Sequence, residues 1–257
     1  MFKMIVAPAL VALGVAACGG GGGSDTGVTA KTLKISLYGD PFVSAAKSTA
    51  KAQVVAAAAS DAASAPSMAS DTTATVQTLT DALQARGVPA TVSPQVMDST
   101  TLHQIVMGEN NGLPPTPDQF KTDPSEWLVV NFKLDDMVTR ADDPAQVAAE
   151  AQFSRDLSVF TQRAAVSGKR VFAVYPIPTC EVPNQNSAAD GLIHAIGNAS
   201  ATSNLTPVGG IPYVNTVSVG HMGADCRTPD AYLLNLRTQT IADDIADRYK
   251  ASIAAAK

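Results

Sequence analysis

Five residues have the types to do chemistry together: Asp40, Asp135, Asp136, His221 and Asp225. Gathered on one rim, four carboxylates and an imidazole could hydrogen-bond the hydroxyls of a sugar. They could also hold a divalent cation through oxygen ligands, although their spacing specifies no metal. The plainer reading stands beside this one. Asp40 and Asp225 lie in turn sequences, where an aspartate ordinarily accepts from its own backbone, and His221 follows an apolar run as a loop histidine does. His103 and His194 fall in helical or loop context with no partner evident from spacing. The chain carries no G-x-S-x-G elbow, no H-E-x-x-H, no P-loop and no G-x-G-x-x-G after its first strand, so no cofactor is expected.

The elements that must position these groups follow from hydrophobic periodicity. Leu33, Ile35 and Leu37 alternate with Lys34 and Ser36, the period of a strand, and the run stops at the turn Gly39-Asp40-Pro41. Residues 44–75 are dominated by Ala and Ser and read as an insertion, a weak helix and then a loop around Pro66. Val76, Leu79 and Leu83 share a helix face that Gly87 ends, and a strand over Ala90 to Val96 follows. Trp127 to Phe132 and Arg170 to Tyr175 are apolar runs short enough for buried strands.

Between them, Asp143-Pro144 starts a helix with Phe153, Leu157, Phe160 and Ala164 on one face, ended by Gly168. Ser187 and Asp190 stand in capping-box spacing before a helix that Gly197 is expected to end. The last strand is expected over Pro212 to Val219, and Ile241, Ile245, Tyr249 and Ile253 stripe a C-terminal helix. The sequons at Asn198 and Asn204 read as loop residues. Strands alternating with helices, the later strands apolar throughout, predict a five-stranded parallel sheet covered on both faces. Asp40 then lies at the carboxyl edge of that sheet, where open α/β sheets bind ligands.

Composition sets the class. With 46% hydrophobic and 16% charged residues, 257 residues can bury a sizeable core in one domain. The net charge of -5, without a Lys/Arg cluster, argues against nucleic acid as a partner. Lys3, the apolar stretch Met4 to Gly14 and then Val15-Ala16-Ala17-Cys18 read as a targeting leader, too short for a membrane span. The quartet resembles a bacterial lipobox. That resemblance implies cleavage after residue 17, lipid on Cys18, a tether over 18–31 containing the run Gly19 to Gly23, and a folded domain over 32–257. Gly19 after the cysteine is similar to the signal for transfer to the outer membrane, facing the periplasm or the exterior. The alternative is an ordinary secretory signal with an incidental cysteine.

The order of motifs from Thr32 onward resembles the SGNH, or GDSL, hydrolases, which implies a flavodoxin-like three-layer α/β/α fold and acyl-ester chemistry. Gly39-Asp40-Pro41 is similar to the family's first block, with Pro41 where the nucleophilic serine would stand. Asp98 replaces the glycine of the second block, and Asp135 the asparagine of the third. Asp225 and Thr228 resemble the closing Asp-x-x-His block, with Thr228 in place of the histidine. Proline offers neither a hydroxyl to attack an ester nor an N–H to an oxyanion. A carboxylate at Asp135 repels an oxyanion, and a threonine is no general base near neutral pH.

The resemblance therefore implies a catalytically degenerate envelope lipoprotein that binds an acyl or glycan ligand or supports assembly. Two alternatives remain open: an active esterase with another nucleophile, such as Ser44 or Ser99, and a purely structural lipoprotein. In the strand order 2-1-3-4-5 that a flavodoxin-like sheet implies, Cys180 and Cys226 emerge on neighbouring loops, within reach of a disulfide. Two separate buried thiols are the alternative.

Overall fold

The computed structural model describes residues 31–44, 68–109, 112–180, 186–211 and 220–255. The expected leader, Cys18 and most of the tether, residues 45–67 of the insertion and the expected strand Pro212 to Val219 lie outside the described residues. The elements are β1 (Leu33–Gly39), α1 (Met68–Gln84), β2 (Ala90–Val96), α2 (Leu102–Met107), β3 (Trp127–Asn131), α3 (Pro144–Val166), β4 (Arg170–Val174), α4 (Ala188–Thr202), β5 (Leu205–Val208) and α5 (Ala231–Ala255). All pairings in the sheet are parallel, in the order β2-β1-β3-β4-β5.

Alternation along the strands sorts the core into two halves. Leu33, Ile35 and Leu37 of β1, Trp127 and Val129 of β3 and Phe172 of β4 face Leu79 and Leu83 of α1 and Ile241 and Ile245 of α5. Tyr38, Leu128, Val130 and Val171 face the opposite way, against Leu102 of α2, Phe153, Leu157 and Phe160 of α3 and Leu192 of α4. The result is a three-layer sandwich with two helices on one face and three on the other. On the second face Phe120 and Phe160 pack with ring centroids 4.5 Å apart, and Tyr38 meets both edge-on.

Four expectations are corrected. The fifth strand is Leu205–Val208, ahead of the run expected to form it. Its Pro207 disguises it, yet β5 is an edge strand, where a missing N–H is tolerated, and Pro94 sits likewise in the other edge strand, β2. Helix α4 continues through Gly197 to Thr202, at the roughly 1 kcal/mol that glycine costs a helix interior relative to alanine. The first sequon consequently lies within α4 and the second runs into β5, so neither is wholly a loop. Finally, Met68 to Thr75 belong to α1 rather than to a loop of the insertion, and the buried Thr75 Oγ1 accepts the Val43 N–H at 3.1 Å.

One polar cluster lies within this frame, where the chain enters β3. The Asp123 carboxylate accepts from Tyr38 OH at 2.6 Å, Ser36 Oγ at 3.0 Å, and Ser125 N and Oγ at 2.8 and 2.6 Å. Lys169 Nζ donates to the carbonyls of Asp123 and Ser125 and lies 3.9 Å from the carboxylate. Burial pushes the Asp123 carboxyl up, but the hydrogen bonds from Ser125, Tyr38 and Ser36 together more than offset it and hold it below its ordinary value. A carboxyl depressed by folding stabilises above its unfolded value of about 3.9, and that contribution is lost as pH falls through the folded value. Asp123→Ala is expected to destabilise by about 3–5 kcal/mol in denaturant melts, because it strands several buried donors at once. Asp123→Asn should flatten the acid limb of a Tm-against-pH profile; an unaltered acid limb would contradict this assignment.

Candidate functional site

The carboxyl edge of the sheet is built around the end of β1. Gly39 pairs with Asn131 in the ladder and has φ +91°, a conformation open to glycine, and a Cβ there would collide with the Asn131 carbonyl. The Asp40 N–H donates to that carbonyl at 2.8 Å, and Asn131 Nδ2 donates to the Asp40 carbonyl at 2.7 Å. Asn131 therefore locks the turn in place. In the sequence it was legible only as a residue within the run Trp127 to Phe132, because nothing in the spacing marks its side chain as the partner of the turn.

The Asp40 side chain meets Lys133 Nζ at 3.0 Å. The lysine is largely exposed, so the pair contributes at most about 1 kcal/mol, but it sets an ammonium beside the turn. Pro41 follows, and Phe42 returns into the core, its carbonyl accepting from Arg237 Nη2 at 3.1 Å.

The remaining aspartates of the edge are held by their own loops. Asp98 accepts from Thr100 N and Oγ1 at 3.2 and 2.5 Å. Asp136 accepts from Val138 N at 2.7 Å, Thr139 N at 3.0 Å and Thr139 Oγ1 at 2.5 Å. Asp225 accepts from Thr228 Oγ1 at 2.6 Å, Thr228 N at 3.0 Å and Arg227 N at 3.1 Å, and the Thr228 hydroxyl holds its carboxyl down to about 2. In each case a threonine two or three residues on closes a turn on the aspartate. Asp135 is exposed on the β3–α3 loop.

His221 is paired with neither Asp225 nor Asp40. Its Nδ1 lies 2.8 Å from Asp230 Oδ2, and its ring stacks on Tyr232 at 4.2 Å. The other Asp230 oxygen accepts the Leu233 N–H at 3.0 Å at the start of α5. Burial pushes the Asp230 carboxyl up, but the Leu233 N–H and His221 outweigh it and leave it below its ordinary value.

Cys180 and Cys226 are joined by a disulfide, with Cα atoms 4.9 Å apart, and Cys180 N donates to the Cys226 carbonyl at 3.0 Å. The bridge closes 46 residues, worth roughly 4 kcal/mol in the chain-entropy model. It ties the Asp225 loop to the segment after β4.

All five candidate residues thus emerge at the same edge of the sheet, Asp40 after β1, Asp135 and Asp136 after β3, and His221 and Asp225 after β5, and Asp40, Asp136, His221 and Asp225 each turn to a different partner. Among the described residues no three of His, Cys, Asp and Glu converge to hold a metal ion. Ser99, offered as a substitute nucleophile, is exposed and directs its hydroxyl at Met68 Sδ, 3.5 Å away, rather than at a base. The functional partners that sequence reasoning missed are Asn131, Lys133 and Asp230. Only Asp230, as a helix N-cap, carried a signal in its residue type.

No protein-family model matches the sequence, and no curated protein matches it. Solved structures do. A protein from Slackia heliotrinireducens classed as an SGNH hydrolase aligns with a TM-score of 0.52 at 13% identity, over 84% of this chain and 100% of that one. The chain has an SGNH-hydrolase-like fold. The psychrotrophic esterase EstA from Pseudoalteromonas sp. aligns at TM-score 0.49 and 11% identity, over 84% of this chain and 98% of that one. TesA aligns at 0.48 and 14%, over 83% and 98%. Within this SGNH-like architecture, Gly39 to Pro41 end β1, Asp98 follows β2, Asp135 follows β3, and Asp225 and Thr228 precede α5. The likeness is one of fold; the chemistry at these positions is that of the residues this chain carries.

Carboxyl NMR checks the turn that closes this edge. Asp225 is expected to titrate at about 2, and in Thr228→Val to move up toward the ordinary carboxylate range. A wild-type Asp225 titrating near 3.9 would mean that the turn does not form.

Proposed function

We propose that this chain is an envelope lipoprotein, anchored by Cys18, whose SGNH-hydrolase-like domain binds an acyl or glycan ligand or supports assembly without hydrolysing esters. The observation that carries the reading is the Asp225–Thr228 turn. Where the resemblance expects a carboxylate to orient a histidine base, both Asp225 oxygens accept from their own loop, and Thr228 is the donor. Pro41 supports it further, since an acyl transfer there has neither a nucleophile nor a backbone donor for the oxyanion. The anchor rests on the leader, the Val15 to Cys18 quartet and the glycines after it. Several acyl chains on one cysteine, at about 0.8 kcal/mol per buried CH₂, suffice to hold a protein at a membrane.

One observation favours a second reading, an active esterase with a non-standard nucleophile. The His221–Asp230 pair is a histidine held by a carboxylate at the same edge of the sheet, the arrangement of a general base. The test is a panel of activated short-chain esters and acyl sugars offered to the full chain recovered from membranes. No turnover above the buffer rate is expected, and Pro41→Ser should not install any, because His221 is held by Asp230 and Thr228 stands where the resemblance expects the base. Turnover that disappears in His221→Ala would establish the second reading and overturn the first.

A further inference from the structure

A cleft of about 580 Å³ opens between α2, the loop after β3 and α3, a size within the roughly 300–1,000 Å³ of small-molecule sites. Leu102, Leu134 and Phe153 give it an apolar floor. His103 and Asp156 make its most ordered polar feature. His103 Nδ1 lies 2.9 Å from Asp156 Oδ2, and Gln152 Nε2 donates to Asp156 Oδ1 at 2.9 Å. Gln152 is itself held, its Oε1 accepting from Arg155 Nη2 at 2.7 Å. The Asp156 side chain is 8% exposed and that of His103 54% exposed. A buried carboxylate thus has both oxygens satisfied and acts through the ring that it holds. With Nδ1 engaged, the imidazole offers Nε2 to the cleft at a fixed orientation.

Charge on the rim narrows what can enter. Lys133 is paired with Asp40, while Asp135 would repel an anion. A metal ion is excluded by the lack of a third ligand among the described residues. We propose that this cleft is a binding site for a neutral, hydroxyl-rich ligand, a saccharide, with His103 Nε2 hydrogen-bonded to a ring hydroxyl and the C–H face of the sugar on the apolar floor. Asp156 is a positioning residue. The inference rests on the reading of the domain as a binding module and narrows its ligand from acyl or glycan to glycan.

Saturation-transfer NMR on the full chain, with cellobiose, chitobiose and maltose as probes and acetate and phosphate as anionic controls, tests it. Transfer to ring C–H protons of at least one saccharide is expected. His103→Ala should weaken that binding about tenfold, the size of one good hydrogen bond, and His103→Gln less. Asp156→Asn should weaken it several-fold, with melts of all variants showing that the fold survives. No transfer to any saccharide, or transfer to the anions instead, overturns the assignment. So does saccharide binding that His103→Ala and Asp156→Asn leave unchanged, although the domain would then still be a binding module. Ester turnover in the same samples would instead overturn the non-hydrolytic reading and leave the cleft standing.

Discussion

The carboxyl edge depends on the reciprocal pair of hydrogen bonds between Asp40 and Asn131. β1 and β3 are central neighbours in the sheet, and their ends must approach closely enough for Asp40 N to reach the Asn131 carbonyl. That approach excludes a Cβ at Gly39 and requires its positive φ. With the backbone fixed in this way, Asp40 is presented to Lys133, Pro41 takes the next position, and Phe42 is delivered into the core beside Arg237. The turn thus presents an ion pair and a proline at the end of β1.

The acidic residues of the edge share one physical logic. An aspartate followed at two or three residues by a threonine gains a hydroxyl and one or two backbone N–H donors, all stabilising the charged form. Asp98, Asp136 and Asp225 each use this device, and for each of them the threonine hydroxyl is the leading cause of a lowered pKa. A carboxylate so satisfied has its acceptors engaged within its own loop, and of the four candidate acids at this edge Asp136 and Asp225 are held in this way. Arg227 sits close enough to Asp136 to lower it further, so the loops meet through opposite charge rather than through shared ligands.

Much of the fold was legible in the sequence. The alternation of Leu33 to Leu37 placed β1, and the capping residues Asp143 and Ser187 set the starts of α3 and α4. β5 was hidden because proline argues against a strand unless the strand is known to lie at an edge, and that is a property of the assembled sheet. Gly197 misled for the complementary reason, since a helix held by Leu192, Ala195, Ile196 and Ala199 in the core tolerates one weak residue. At the site, the chemistry of single residues could be read directly, because proline has neither hydroxyl nor N–H and threonine is no general base near neutral pH whatever surrounds them. Pairings could not. The partners of Asp40, His103 and His221 come from residues 93, 53 and 9 positions away, and only packing brings them together.

If the proposed function holds, the carboxyl edge carries no activated nucleophile. Incubation of the full chain with a fluorophosphonate, which captures an activated serine or threonine hydroxyl covalently, followed by intact-mass measurement, tests it most directly. The mass is expected to remain unmodified after prolonged exposure. A stoichiometric phosphonyl adduct mapped to a hydroxyl at the carboxyl edge of the sheet would contradict it.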